Sequence, residues 1–338
     1  MDLNIIWFIL ITVLLSVYAI LDGFDFGVGI LHIGAKTEEE KRILMNSIGP
    51  VWDGNEVWLL AGGGSIFAAF PFVYGTVFSA FYLAIYLLLL ALFFRAISFE
   101  FRGKVESAKW KKFWDFSFEF GSFLPPILLG VAFGNILRGL PLNENRIFVG
   151  SFIELLNPYS ILIGVLTFVI FLMQASIYLT HKTEGKLQEK YERLAVNFWV
   201  AFIILYVIAT VATLFVSKFL FIGITKSVLF WILFLLFLFS IIMIPVNLKA
   251  KNNKRAFLFS SITIFTLIGI SAVSLFPRFV PSLIDLNYSW DIYNASSTPK
   301  TLTTMLIIAL IGMPFVIFYT IFIYRVFKGK TVLTKDSY

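Results

Sequence analysis

The feature that most limits what this chain can become is the recurrence, from one end to the other, of apolar runs about 20 residues long. A helix of that length is what crosses roughly 30 Å of hydrocarbon. In lipid every backbone N–H and C=O must pair within the protein, which leaves helices and closed barrels. Runs this long and continuous exclude the alternating strands of a barrel. The sequence therefore predicts an all-α integral membrane protein with nine transmembrane helices, at about 5–32, 50–71, 75–100, 116–138, 159–181, 194–217, 227–247, 256–277 and 302–326. Composition agrees, since 59% hydrophobic and 14% charged residues cannot clothe a soluble domain. Forty Phe, eight Trp and thirteen Tyr suit lipid-facing and interfacial positions.

The net charge of +7 reports orientation, because its sources lie in short clusters between the apolar runs. A nucleic-acid partner is not expected. Of the 27 Lys and Arg, all but Arg138, Arg146, Lys218, Lys226, Arg278 and Lys300 fall on one set of alternating connections, including Lys335 in the tail. Basic residues collect on the cytoplasmic side, so the pattern predicts nine crossings with the N-terminus outside and the C-terminus in the cytoplasm. The first run lacks a basic leader and carries Asp22 and Asp25 where a small-residue cleavage site would fall. It is therefore expected to be a retained helix, not a signal peptide. No linker or low-complexity segment divides residues 1–338, which read as a single membrane domain.

With no cysteine, thiolate metal sites, iron–sulfur clusters and covalent haem attachment are excluded. The two histidines, His32 and His181, map to cytoplasmic helix ends and are read as polar end residues, not haem ligands. Any haem is then expected on another chain, and no metal site is expected here. Carboxylates inside apolar helices are more informative, because an ionisable group at membrane depth costs a few kcal/mol, about 2.5–3.5 on insertion scales, and usually faces protein or a water path. Asp22 and Asp25 lie three apart on one face of the first helix, and Asp53 and Glu56 repeat that spacing at the start of the second. Glu100 closes the third helix near Arg95, a candidate ion-pair partner, and Glu119 opens the fourth near Lys111 and Lys112. On the predicted topology all six acids fall in the cytoplasmic half, as a proton path from the cytoplasm requires. The same acids could instead serve packing, by pairing with arginines or by capping, as Asp53 would at a helix start. Gly23 and Gly27, Gly130 and Gly134, and the run Gly62, Gly63 and Gly64 predict close helix contacts, inside the chain or against a partner. Pro125 and Pro126 are expected to kink the fourth helix.

These residues carry a likeness. The segments Leu21-Asp-Gly-Phe-Asp-Phe-Gly-Val-Gly29, Asn46-Ser-Ile-Gly-Pro-Val-Trp-Asp-Gly-Asn-Glu-Val-Trp58, Gly62 to Pro71, Phe93-Phe-Arg95, Phe99-Glu-Phe-Arg102, Gly121-Ser-Phe-Leu-Pro-Pro126 and Gly130-Val-Ala-Phe-Gly-Asn135 together resemble the second, smaller subunit of cytochrome bd-type quinol oxidase. Dense similarity covers about 15–140. The resemblance implies a larger partner subunit that holds two b-type haems and one d-type haem and oxidises quinol, while O2 is reduced to water with cytoplasmic protons. For this chain it implies two four-helix bundles, about 1–140 and 155–280, plus a peripheral helix at about 300–326, in the bacterial cytoplasmic membrane. It carries a proton path onto Asp22, Asp25, Asp53 and Glu100. It leaves open a structural quinone or lipid and small accessory subunits. Two positions depart from the family pattern: Glu100 stands where Asp is common, and Glu56 where Gln is frequent, so Glu56 is left out of the carried-over path.

The expectation is a proton-conducting and assembly subunit that binds no haem itself, with Trp52 walling the path and the glycine faces seating helices. Two other readings stay open at this point, a lone proton-coupled transporter and a purely structural scaffold. The transporter class tends to show broken helices meeting at mid-membrane. No such pair is evident in the sequence.

Overall fold

The computed structural model describes residues 2–333, so Lys335 lies outside the described residues. In chain order the helices are α1 (Leu3–Leu31), α2 (Glu38–Ile48), α3 (Trp52–Ala69), α4 (Pro71–Ala80), α5 (Tyr82–Phe101), α6 (Ala108–Arg138), α7 (Phe152–Leu155), α8 (Pro158–Lys182), α9 (Gly185–Val216), α10 (Val228–Lys249), α11 (Asn253–Leu275) and α12 (Pro299–Val326). Strands β1 (Arg278–Val280) and β2 (Trp290–Asp291) form a small antiparallel ladder before α12.

Eight helices among the described residues, α1, α5, α6 and α8 to α12, are long and apolar enough to cross a membrane. The chain is thus a multi-pass membrane protein. The remaining predicted crossing, α3, is less apolar because its first turns hold Asp53, Asn55 and Glu56. The predicted third helix, 75–100, divides at Phe81, with its first turns in α4 and the rest in α5. Pro71 opens α4, where a ring with fixed φ and no N–H fits a first turn. Helices α6 and α9 start well before the 116 and 194 read from hydropathy, because their polar first turns remain helical outside the apolar run. Helix α6 continues through Pro125 and Pro126.

Helix α8 is the hub and packs on α1, α6, α9 and α11. Lipid supplies no hydrophobic drive between helices, so close approach must come from small residues. A Cβ built on Gly130 would lie 2.7 Å from the Gly164 Cα of α8, and one on Gly134 would lie 2.8 Å from the Ser160 Cα. A Cβ on Gly27 would overlap the Phe171 carbonyl oxygen, and Gly23 faces the Phe171 ring. Four of the glycines singled out above therefore seat α8 inside this chain. Gly62 faces Leu15, whereas Gly63 and Gly64 have nothing within 4 Å.

Polar joints lock the helix ends. Asn157 caps α8 by accepting from the Ser160 N–H at 3.0 Å and donates to Asn135 Oδ1 of α6 at 3.0 Å. Asn157→Ala is expected to cost about 1 kcal/mol, the usual worth of such a cap. A fall of a few degrees in the thermal midpoint of the purified protein would show it; an unchanged midpoint would mean that water serves the cap equally well. At the end shared by α1, α8, α9 and α12, Lys190 donates to the Gly34 carbonyl and Lys330 to those of Thr180 and Thr183. At the opposite end, Trp7 Nε1 donates to the Leu302 carbonyl and Leu140 N–H to that of Pro281. Helix α12 packs chiefly on α1 and α3.

Candidate functional site

The first helix carries two carboxylates because its neighbours are built to receive them. Asp22 and Asp25 are both fully buried. Arg95, also fully buried, reaches from α5 and donates through Nη1 to Asp22 Oδ1 at 2.9 Å and to Glu56 Oε1 of α3 at 2.9 Å. Its guanidinium carbon lies 4.4 Å from the centroid of the Phe26 ring, a cation–π contact. Asp25 has no such cation and instead accepts from Asn55 Nδ2 at 2.7 Å. Asn55 Oδ1 in turn accepts from the Tyr324 hydroxyl of α12 at 3.0 Å. Helices α1, α3, α5 and α12 thus converge on one buried polar cluster.

One arginine facing three carboxylates is an unusual charge balance for a protein interior, where an unpaired charge is strongly disfavoured. Asp25 Oδ1 and Arg95 Nε and Nη2 are buried with no hydrogen-bond partner among the described residues. Polar atoms in that state fit a place where protons and water are handled.

The remaining predicted site residues lie nearer the surface. Asp53 and Glu100 are exposed on this chain, and the structure does not bring them into the Arg95 cluster. They share one end of the molecule, because Trp52 stacks on Phe99 with centroids 4.9 Å apart and planes 4° from parallel. Arg95 pairs with Asp22 and Glu56, not with Glu100. Glu56, set aside in the sequence reading, belongs to the cluster, and its side chain is 22% exposed against 0% for Asp22. The signal was present: it sits three residues from Asp53, one turn along the same face.

A second group of charges gathers at the basic end of α1. His32 stands at the end of α1, as expected, but is fully buried there, with Nδ1 2.8 Å from Glu119 Oε1 and Nε2 3.7 Å from Asp115 Oδ1. Asp115 accepts from Lys41 at 2.7 Å and from Arg102 Nε at 2.5 Å. Arg102 also holds Glu38 in a two-pronged bond, 2.9 Å on each side. Burial pushes the Glu38 carboxyl up, but the Arg102 bonds and the nearby Lys111 outweigh it and hold it below the usual value. A lowered carboxyl stabilises the fold at neutral pH, and that contribution fades as pH falls through the lowered value. Helix α2, absent from the sequence reading, forms this corner by placing Glu38 and Lys41 over α6.

A cavity of about 480 Å³ opens among α1, α6, α8, α9, α10 and α11 and is lined by groups such as Leu15, Tyr18, Leu166, Phe171, Tyr206 and Phe234. Its walls are almost wholly apolar. Gaps of this size suit a ligand dominated by hydrocarbon.

Comparison with known proteins bears on all of this. The family described as "Cytochrome bd terminal oxidase subunit II" matches residues 3–327. The Cytochrome bd ubiquinol oxidase subunit 2 of Bacillus subtilis is 37% identical over 334 residues, covering 97% of each chain. The Cytochrome bd-I ubiquinol oxidase subunit 2 of Escherichia coli K12 is 32% identical over 366 residues, covering 99% of this chain and 96% of its own. Among solved structures, a chain of the bd oxidase from Geobacillus thermodenitrificans superposes with a TM-score of 0.79 at 15% identity, covering 97% of this chain and 99% of that one. At that identity the likeness speaks for the fold alone.

Proposed function

This chain belongs to the cytochrome bd terminal oxidase subunit II family, and from that premise we propose that it carries cytoplasmic protons toward the site of oxygen reduction in a two-subunit quinol oxidase. The haems b and d, held by the larger subunit, supply the oxygen and electron chemistry. The residues here bind and pass protons and hold the helices that do so. The observation that carries this reading is the buried cluster in which Arg95 is shared by Asp22 and Glu56 while Asp25 rests on a neutral amide.

The path begins at Asp53 and Glu100, which lie at the end of the molecule that the basic connections assign to the cytoplasm. Glu56 lies one turn inward from Asp53 on α3 and already touches Arg95, so a proton leaving Asp53 has an acceptor of falling exposure. When Glu56 is protonated, Arg95 is left to Asp22; when Asp22 is protonated, Arg95 is left to Glu56. The guanidinium acts as a fixed counter-ion between two exchangeable sites. Asp25, held by Asn55, is the terminus on this chain, and Trp52 against Phe99 walls the mouth.

The same reading takes α3 as a ninth crossing, with the N-terminus outside, the C-terminus in the cytoplasm, two four-helix bundles and α12 peripheral, in a bacterial cytoplasmic membrane. Roughly 27 Å of helix in α3 is enough to reach across most of the hydrocarbon. Gly63 and Gly64, with open space beside them, offer a flat face to the larger subunit, and the apolar cavity suits the tail of a structural quinone or a lipid chain. Family membership sets aside the lone transporter.

Asp25→Asn in the assembled oxidase is expected to slow quinol-dependent O2 consumption at least about tenfold, a barrier increase of about 1.4 kcal/mol, with a native haem spectrum. Native turnover in both Asp25→Asn and Asp53→Asn would instead leave the acids as packing groups and this chain as a scaffold.

A further inference from the structure

A polar stripe that continues from Asp22 and Asp25 to residues the path above leaves unused lines the contact between α1 and α6. On α1, Asp22, Asp25, Gly29 and His32 are spaced three, four and three residues apart and share a face. On α6, Asp115, Glu119 and Ser122 are spaced four and three and share another. Ser122 is fully buried, and its Oγ occupies the place that a side chain on Gly29 would fill. It donates to the Phe118 carbonyl at 2.7 Å and keeps its lone pairs to accept.

At the surface end of this stripe stands the His32–Glu119 pair, with His32 fully enclosed and the Glu119 side chain 20% exposed. His32 Nε2 has no hydrogen-bond partner among the described residues. The charged groups around the pair come from every neighbouring element. They are Glu38 and Lys41 of α2, Arg102 beyond α5, Lys111 and Asp115 of α6, and Lys190 of α9, whose ammonium bonds the Gly34 carbonyl. With His32 neutral, the four cations Lys41, Arg102, Lys111 and Lys190 surround the three acids Glu38, Asp115 and Glu119. A proton on His32 would be met by two adjacent carboxylates, Glu119 at 2.8 Å and Asp115 at 3.7 Å.

We propose that His32 and Glu119 form a second proton intake, separate from Asp53 and Glu100, that joins the buried cluster at Asp25 by way of the Ser122 hydroxyl. From His32 to Asp25 is seven residues, about 10 Å of helix. Ser122 stands inside that interval, one turn from Glu119 on α6 and beside the turn of α1 that leads to Asp25. A hydroxyl both donates and accepts, so with bound water on either side it passes a proton along a hydrogen-bonded chain. An ion-pair corner built only for packing would need the charged groups but not a hydroxyl seated in the Gly29 gap.

The inference rests on the relay reading of Asp25, and its test is made on the complete oxidase with its larger subunit. His32→Gln and Ser122→Ala are compared with Asp25→Asn for haem spectrum and for O2 consumption from about pH 6 to 9. Ser122→Ala leaves every ion pair in place, so it reports on the path even where His32→Gln disturbs assembly. Both intake variants are expected to keep a native haem spectrum and to turn over about three- to tenfold more slowly, most markedly on the alkaline side, where cytoplasmic protons are scarce. A merely structural role would lower yield or stability without bending the pH profile. Native profiles in both intake variants beside a slow Asp25→Asn would overturn the second intake and leave the relay standing. A native Asp25→Asn would overturn the relay, and this inference with it.

Discussion

Replacing Arg95 with leucine is expected to keep the chain from accumulating as a stable membrane protein. The guanidinium is fully buried and supplies the only cation bonded to Asp22 and Glu56 among the described residues. Removing one partner of a buried ion pair typically costs about 3–5 kcal/mol, because the charge left behind has neither water nor a counter-ion. Native proteins hold only about 5–15 kcal/mol in reserve. Lysine should rescue only in part, since its shorter, point-like ammonium lacks the planar face that Arg95 lays against Phe26. The triple variant Arg95→Leu, Asp22→Asn, Glu56→Gln takes away the stranded charges and should recover most of the yield, though not the turnover. Yield from membranes and the thermal midpoint of the detergent-purified complex are the measurements. A single Arg95→Leu variant with native yield and midpoint would show that the acids are neutralised by some other means.

Gly27→Leu is the second large effect, and it acts through shape alone. A Cβ on Gly27 would run into the Phe171 backbone oxygen and the Ala175 Cβ, so α1 and α8 cannot approach as they do. Overpacking commonly costs about 1–3 kcal/mol, and more when the obstacle is backbone that cannot swing aside. Since α8 is the hub, the shift would reach α6 and α9 as well. Gly312→Ala is the matched control: nothing lies within 4 Å of Gly312 on α12, and alanine there should stabilise by about 0.5–1 kcal/mol. Equal thermal midpoints for Gly27→Leu and the unaltered protein would refute the close-packing account.

Much of this architecture was written in the hydropathy pattern, because lipid allows few backbone solutions and each crossing must announce itself as an apolar run. Apolar content could not reveal α2, whose exposed first turn is Glu38, Glu39 and Glu40 while its last turns bury Leu44, Met45 and Ile48. Nor could it find the break at Phe81, since the chain on either side of it, in α4 and the first turns of α5, is largely apolar. The cluster was half legible: the spacing of Asp22 with Asp25 and of Asp53 with Glu56 gave the faces, but not which acid of the second pair turned inward. That choice depends on the rotation of α3 about its axis, which tertiary packing sets. The burial of His32 was hidden for a related reason. As the end of an apolar run it reads as interfacial, yet α2 and α6 fold over it, and α6 supplies Glu119 and Asp115.

The bond from Tyr324 to Asn55 spans 269 residues, whereas the pairing of Arg95 with Asp22 spans 73. Chains are made at about 5–20 residues per second, so these two closures are separated in time by roughly ten seconds or more. The insertion machinery therefore delivers the counter-ion early, while α1 is still newly lodged in the bilayer. The tyrosine that completes the amide beside Asp25 arrives only with α12. A half-made chain thus has a counter-ion for its buried acids, but the polar cluster around Asp25 stays unfinished until α12 is in place.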